Sequence, residues 1–307
     1  MNDILAWLWQ GDRSVRWQTL QDLLHDRPDK IEAQRKQVAS EGWGAALLAR
    51  QDACGSWGGG LYSPKWISTT YTMLLLKRLG LPVENSQAKI SCALLLEKGF
   101  FHDGGIAFSR SWGQSETCVT GMILSILSYF HYLDQRVTRL AEYLLGQQMP
   151  DGGWNCQSFK GATHSSFHTT ISVLEGLREF EKNYTSSQSA IFDAQQQGKE
   201  FLLKHRPFRS SRTGEIVKQA FTQFSFPPRW FYDILRALDY FQETNSKKDE
   251  RLSDAIKIVE KKRKKEGWWL LQNRHRGRTF FEMERVGEPS RWNTLRALRI
   301  LNWWESK

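Results

Sequence analysis

Four basic residues in this chain are each followed directly by a tryptophan, a pairing suited to holding an anion beside an apolar chain. A guanidinium or ammonium group makes charge-assisted hydrogen bonds to phosphate oxygens, and an indole offers a broad apolar face. The pairs are Arg16-Trp17, Lys65-Trp66, Arg229-Trp230 and Arg291-Trp292. We predict that the last three pairs bind substrate, with the cations on a diphosphate head group. The alternative is that the tryptophans pack in the core and the cations are solvated.

A short motif recurs along the chain and identifies a repeat protein. Gln51-x-x-x-Gly55-x-Trp57 returns as Gln148-x-x-x-Gly152-x-Trp154, and a basic variant reads Arg263-x-x-x-Gly267-x-Trp269. Gly104-Gly105 mark a degenerate copy between the first two. A period of roughly 50 residues is typical of stacked two-helix units. We predict that the motif tryptophans pack between repeats.

Each repeat is predicted to contain two helices of different character. Val137, Leu140, Ala141 and Leu144 form the apolar stripe of an amphipathic first helix, and Leu252 to Val259 repeats the spacing. The second helices are richer in apolar residues and are expected to be buried. They span 15–24, 66–79, 116–130, 166–180, 230–241 and 291–304.

These patterns predict an all-α fold. Six helix pairs fill residues 1–307 as a single domain, and we expect them to close into an α/α toroid of two concentric layers, with the less polar helices inside. In that arrangement four inner helices open with a cation and a tryptophan, forming one mouth of the ring. The other two open with Glu116 and Cys118, and with His168. Polar residues 186–197 and 243–250 are expected to be surface connections, and 208–228 an insertion.

The repeats resemble those of squalene and oxidosqualene cyclases, whose relatives include the β subunits of protein prenyltransferases. The resemblance covers essentially the full chain and implies a toroid with a central apolar cavity for an isoprenoid. Class II cyclases carry an Asp-x-Asp-Asp acid at the start of an inner helix. Here the matching residues 166–170 read Ser-Phe-His-Thr-Thr, which disfavours a squalene-type cyclase.

The prenyltransferase comparison retains more residues. That family binds zinc through an Asp-x-Cys pair and a His at the starts of successive inner helices, which implies Zn²⁺ ligation here by Glu116, Cys118 and His168. Cys118 and His168 are 50 residues apart, in register with the repeat. A carboxylate, a thiolate and an imidazole are a reasonable three-ligand set for Zn²⁺ with an open fourth position, and Cys156 or His164 is close enough in sequence to join it.

The same resemblance implies that Arg110 binds a diphosphate. Two departures weaken the resemblance to the prenyltransferases: Glu116 replaces the family's Asp, and Gly113 stands where the family has a lysine. The family's enzymes also pair with a separate α subunit, so a partner subunit stays open. The alternative to zinc ligation is that Cys118 is a small buried residue and that His168 is a hydrogen-bonded residue at a helix start.

The leading prediction is an isoprenoid-binding toroid that acts as a zinc-dependent, prenyltransferase-like enzyme on an isoprenoid or prenyl diphosphate. One alternative is a non-catalytic ligand-binding or scaffold protein. Another is a terpene cyclase-like enzyme that lacks the usual acid and uses Glu116 or Asp233 as its catalytic acid.

Composition bounds these possibilities. The 43 basic and 33 acidic residues give a net charge of +10, compatible with an anionic ligand or membrane surface. The run Lys261 to Lys265 is expected to be a solvated face. No nucleic-acid-binding motif is recognisable.

Four cysteines are too few for a disulfide scaffold, and the longest apolar stretch, 119–130, is short of the roughly 20 residues that span a bilayer. We therefore predict a cytoplasmic protein, with peripheral membrane contact left open.

Overall fold

A computed structural model of the protein describes residues 3–185 and 187–306, with the Arg110 side chain outside the description. The predicted all-α fold is confirmed, since the one sheet among the described residues is a two-stranded antiparallel pair, β1 (Trp269–Leu270) and β2 (Pro289–Ser290). The helices are α1 (Asp3–Trp9), α2 (Arg13–Thr19), α3 (Pro28–Lys36), α4 (Gly42–Leu48), α5 (Thr69–Leu79), α6 (Ser86–Gly99), α7 (Thr117–Tyr129), α8 (Gln135–Gly146), α9 (Phe167–Asn183), α10 (Gln188–Lys204), α11 (Ile234–Glu243), α12 (Ser253–Lys261) and α13 (Arg291–Glu305).

The described residues form two compact units, each built from separate stretches of chain. One unit contains 3–50, 78–82 and 203–306, and so includes α1 to α4 and α11 to α13. The other contains 51–77 and 83–202 without residue 186, and so includes most of α5 and α10 together with α6 to α9. No described helix is long and apolar enough to cross a membrane.

The predicted difference between the two kinds of helix is confirmed in the second unit. On α8, burial is confined to the predicted stripe Val137, Leu140, Ala141 and Leu144. On α7, every residue from Val119 to Ser128 is buried, because this helix packs along α9. Polar residues therefore cover one side of α8, whereas α7 lies wholly inside the unit.

Helices α7 and α9 cross at two glycines. A Cβ added at Gly176 would lie 2.5 Å from the carbonyl oxygen of Gly121, and one added at Gly121 would lie 2.9 Å from that of Ser172. The two backbones are thus in direct contact, which only residues without a side chain allow. This close crossing fixes the relative positions of the two helix starts that carry Glu116 and His168.

The motif tryptophans are fully buried, and the same hydrogen bond recurs at each copy. The backbone N–H groups of Trp57, Trp154 and Trp269 donate to the hydroxyls of Thr69, Thr170 and Thr294, at 2.9–3.1 Å. In the degenerate copy, Ile106 donates to Thr120 at 2.9 Å. Each turn is thereby tied to the first residues of the helix that follows it.

The glutamine of the motif reaches into the next repeat. Gln148 Nε2 donates to the carbonyl of Gly152 within its own turn and to that of Ala194 on α10. Trp154 also contacts α10, since a Cβ added at Gly198 would lie 2.9 Å from its ring. These contacts confirm that the second motif braces neighbouring repeats.

Three predicted boundaries are wrong. The helix predicted over 66–79 begins at Thr69, so Lys65 and Trp66 lie in the preceding turn rather than at a helix start. Residues 188–197, expected to be a surface connection, belong to α10; residue 186 lies outside the described residues. Helix-favouring residues and a buried stripe through Ile191, Ala194 and Leu202 outweigh the local polarity. The helix predicted over 230–241 begins at Ile234, so Arg229 and Trp230 lie in the preceding turn rather than at a helix start.

Candidate functional site

Glu116 immediately precedes α7, held there by its backbone. Its N–H donates to the carbonyl of Ile106 and its own carbonyl accepts from the N–H of Thr120, both at 2.8 Å. Although this is the capping position of the helix, the side chain makes no capping hydrogen bond. Glu116 is 9% exposed, and no group in the described part of the chain hydrogen-bonds its carboxyl oxygens. The carboxyl is thus buried yet unconstrained.

A cleft of ≈ 440 Å³ opens beside this carboxyl, a size typical of small-ligand sites. Aromatic rings form part of its wall: Tyr62 and Phe108 are stacked with centroids 6.2 Å apart, and Trp112 also lines the cleft, as does Lys98. Behind Tyr62, the ring of Tyr71 contacts both Tyr62 and Trp66. Glu116 therefore lies against a set of π faces.

The charge of Lys65 acts on the Glu116 carboxyl. Its ammonium lies over the rings of Tyr62 and Trp66, 5.3 and 5.6 Å from their centroids, as a cation–π interaction requires. Burial raises the pKa of Glu116, and the charge of Lys65 offsets this in part. Burial likewise lowers the pKa of Lys65, with Glu116 opposing the shift. The site therefore combines a carboxyl that stays protonated to higher pH with a cation that stabilises its ionised form.

The start of α7 is positioned by Asp103, which the paired glycines after it mark in the sequence as a turn residue. Asp103 accepts hydrogen bonds from the N–H and hydroxyl of Ser115, at 2.8 and 2.6 Å, and from the N–H of Gly105. Asp151 makes the equivalent pair of bonds to Ser165 before α9. The signal in the sequence is an acidic residue directly before the repeat's paired glycines, together with a serine just ahead of the inner helix.

The predicted zinc ligands are not grouped as a metal site in the described part of the chain. Cys118 and Cys156 are joined as a disulfide, with Cα atoms 5.8 Å apart, so neither sulfur is a thiolate. Among the described residues, no three His, Cys, Asp or Glu side chains are grouped so that they could hold a metal ion. His168 is half-buried in the first turn of α9, and His164 is exposed. The donor set does not fit Zn²⁺, and the zinc site stays a prediction from sequence.

Asp233 is a helix cap in the first unit. One carboxyl oxygen accepts from the N–H of Arg236 at 2.8 Å, and the other from the N–H and hydroxyl of Ser225 at 3.2 and 2.8 Å. Both oxygens are thus engaged at the start of α11. These bonds account for the burial of Asp233 and distinguish it from Glu116, whose oxygens have no such partners.

The cation and tryptophan pairs occupy dissimilar surroundings. Lys65 and Trp66 lie in the turn before α5, and the Lys65 ammonium lies over the ring of Tyr62, which lines the cleft described above. In the other unit, Trp230 stacks on Phe231 at 4.0 Å, Trp292 stacks on Phe226 at 4.3 Å, and Arg291 lies over the ring of Trp7 at 4.6 Å. Arg229 is in the turn before α11. The backbone of Arg110 forms a 3-10 turn ending at Trp112, but its predicted diphosphate contact lies outside the described part of that residue.

Comparisons with known proteins give only a distant structural likeness. No family model matches the chain, and no curated protein matches it. Among solved structures, a protein from Actinoplanes aligns over 96% of this chain and 91% of its own, with 12% identity and a TM-score of 0.49.

Proposed function

We propose that this protein is an isoprenoid-binding α/α toroid in which Glu116 acts as a Brønsted acid on a carbon–carbon double bond of the ligand. The observation that carries the proposal is a buried carboxyl, with its pKa raised by burial, at the wall of an aromatic cleft. An acid of this kind is tuned by an apolar environment. The reaction class is therefore terpene cyclase-like, with Glu116 in place of the usual aspartate.

The toroid is supported by the repeats. Buried second helices alternate with amphipathic first helices, and the turn between them is closed by the same bond to a threonine hydroxyl in four copies. Units that bury one face on the next repeat form a continuous curved array.

The chain's own residues account for each step. Glu116 transfers its carboxyl proton to one alkene carbon, the π pair becomes the new C–H bond, and the adjacent carbon becomes a cation. The faces of Tyr62, Phe108 and Trp112 stabilise that positive charge through their quadrupoles. Lys65 stabilises the carboxylate left behind. A second double bond of the ligand then attacks the cation to close a ring, and loss of a proton to the carboxylate or to water ends the sequence.

Solvent deuterium tests the proposal. The protein is incubated in D₂O with linear isoprenoids, both hydrocarbons and diphosphates, and products are analysed by mass spectrometry. Protonation by Glu116 places one solvent deuterium in each cyclised product, and Glu116→Gln should lower turnover by about 10²-fold or more. Glu142→Gln, which removes an exposed carboxylate of α8, is the matched control and should leave turnover unchanged.

Other outcomes separate the alternatives. Ligand binding by both wild-type protein and Glu116→Gln, without product from either, favours a non-catalytic binding protein. Transfer of a prenyl group with diphosphate release and no deuterium, from protein holding one zinc that is lost in Cys118→Ser and His168→Ala, favours the zinc-dependent transferase. Either result refutes the role given to Glu116.

A further inference from the structure

A groove of ≈ 430 Å³ in the first unit is bordered by four consecutive cations. Lys261, Lys262, Arg263 and Lys264 follow one another at the carboxyl end of α12 and in the turn after it. We call this the basic groove. Its floor is formed by apolar and polar residues, among them Phe224, Trp269 and Gln272, and no acidic residue lines it in the described part of the chain. The sequence predicted only a solvated surface for this run.

Lys262 is held in the basic groove. Its ammonium donates to Oε1 of Gln272 at 2.8 Å and lies 5.1 Å from the centroid of Phe224. Gln272 is itself fixed, because the same oxygen accepts from the N–H of Phe224 at 3.1 Å. Burial lowers the pKa of Lys262, and no carboxylate offsets it. A cation that is partly desolvated and bonded only to a neutral amide retains its attraction for an anion.

The neighbouring cations are fixed by the same turn. Arg263 lies over the ring of Trp269 at 5.5 Å, and the N–H of Lys264 donates to the carbonyl of Trp268 at 2.9 Å. Four positive charges are therefore brought to one groove without a carboxylate among its lining residues. Cations at the carboxyl end of a helix are also stabilised by the helix dipole. Stabilisation by the helix dipole requires only that a cation lies near the last carbonyl groups of the helix. It does not explain why the Lys262 side chain contacts Gln272 and Phe224.

We propose that the basic groove binds a phosphate-type anion: a phosphate or diphosphate group that the lysines contact through charge-assisted hydrogen bonds, with its organic part over Phe224 and Leu270. Lysine ammonium groups suit compact multivalent oxyanions. The apolar part of the floor favours a phosphate joined to an apolar chain. The group could be presented by a soluble phosphate compound or by a lipid head group. The site is independent of the chemistry at Glu116, which lies in the other unit.

Isothermal titration with inorganic diphosphate measures the site directly. The test variant is Lys262→Gln/Lys264→Gln, in which a glutamine amide at 262 can still donate to Gln272 while two charges are lost. The matched control is Lys247→Gln/Lys248→Gln, which removes two exposed charges from a connection of the same unit. We expect the groove variant to bind at least about tenfold more weakly and the control to stay within about twofold of wild type. Circular dichroism confirms that both variants are folded.

Vesicles distinguish the two sources of the anion. Binding to phosphatidylcholine vesicles that contain phosphatidic acid, lost in the groove variant and displaced by diphosphate, supports a lipid head group. Diphosphate binding with no vesicle binding supports a soluble ligand. Equal affinity of the groove and control variants for diphosphate overturns the proposal, as does the absence of diphosphate binding by wild-type protein. Binding of a short single-stranded RNA that excess diphosphate does not displace also overturns it.

Discussion

Acidic side chains of this protein differ in chemistry because their partners differ. The carboxyls of Asp103 and Asp233 each accept three hydrogen bonds from backbone and serine groups, which fixes local structure, and at Asp103 these bonds lower the pKa of the carboxyl. Among the described residues Glu116 has no comparable donors, and it lines a cleft that contains aromatic rings. A carboxyl of this kind is the better proton donor, and this contrast makes Glu116 the candidate acid.

The pH dependence of turnover should report Glu116. Because burial raises its pKa, the protonated form persists to higher pH than for an exposed glutamate, and activity should fall as pH rises through the raised value. Lys65 lowers that pKa, so Lys65→Met should move the falling limb of the kcat/KM profile to higher pH. A limb that stays in place in Lys65→Met, or moves to lower pH, contradicts the assignment of the acid to Glu116.

Asp239 is predicted to stabilise the first unit through two buried arginines. Its carboxyl contacts Arg296 Nε at 2.5 Å and Arg299 Nη2 at 2.7 Å. Burial alone would raise the pKa of Asp239, but the two guanidinium groups hold it below its ordinary value. Asp239→Asn leaves these charges without their shared partner, so the free energy of unfolding should fall by about 3–5 kcal/mol at neutral pH.

The sign of the pH effect follows from the lowered pKa. The stabilisation by Asp239 is fully present above the unfolded-state pKa of about 4 and is lost as pH falls through the lower folded-state value. Urea denaturation should therefore show the wild-type and Asp239→Asn stabilities converging in acid. Asp29→Asn, which breaks an exposed pair with Arg27, is the control and should change stability by less than about 1 kcal/mol. Equal losses of unfolding free energy in Asp239→Asn and Asp29→Asn would show that burial of the ion pair does not affect its contribution to stability.

At the scale of elements, the crossing of α7 and α9 is the closest helix contact we describe. Gly176→Ala places a Cβ 2.5 Å from the carbonyl oxygen of Gly121, and both groups are on rigid backbones. We expect a loss of about 1–3 kcal/mol from the free energy of unfolding. Because α7 carries Glu116, turnover should fall as well.

Gly146→Ala is the matched control for this substitution. Gly146 is also in a helix, and a Cβ there meets nothing within 4 Å. Alanine favours a helix over glycine by up to about 1 kcal/mol, so this variant should be as stable as wild type or slightly more so. Thermal unfolding of the two variants measures the difference, and a stable Gly176→Ala protein would mean that the two helices can separate without cost.

At the scale of the molecule, residues near the two ends of the chain meet within one unit. Arg299 Nη1 of α13 contacts Asp22 at 2.8 Å, Arg291 Nε donates to the carbonyl of Trp7 at 3.1 Å, and the rings of Trp7 and Trp268 are 5.5 Å apart. Helix α1 therefore covers the start of α13. These contacts join parts of the sequence that no local pattern relates.

Deletion of residues 1–11 should destabilise α13 selectively within its unit. The deletion removes α1 but keeps Asp12, whose carboxyl caps α2. Loss of the Trp7 contacts should cost about 3–5 kcal/mol, and amide hydrogens in the first turns of α13 should exchange faster with deuterium. The α8 amides, in the other unit, are the internal control. Unchanged exchange in α13 would show that α1 contributes nothing to its stability.

Much of the fold could be predicted from sequence because the repeat is written in local patterns. The stripe of α8 and the buried second helices follow from apolar spacing, and the motif glycines mark the turns. The start of α11 could not be predicted from the pattern around Arg229, because the helix begins only after Asp233, whose side chain caps it. The helix at 188–204 was missed because its buried face is narrow and its exposed face resembles a loop in composition.

By itself, the sequence determined that this protein is a helical repeat with aromatic and basic residues at several repeat junctions, since both features depend on spacing along the chain. Tertiary structure alone decided the partners of each functional group. It joined Cys118 to Cys156 and gave the carboxyl oxygens of Asp233 three donors. It placed those of Glu116 beside aromatic rings, with no donor among the described residues. Proton affinity and ligand geometry depend on neighbours within a few ångströms, and those neighbours come from distant parts of the chain.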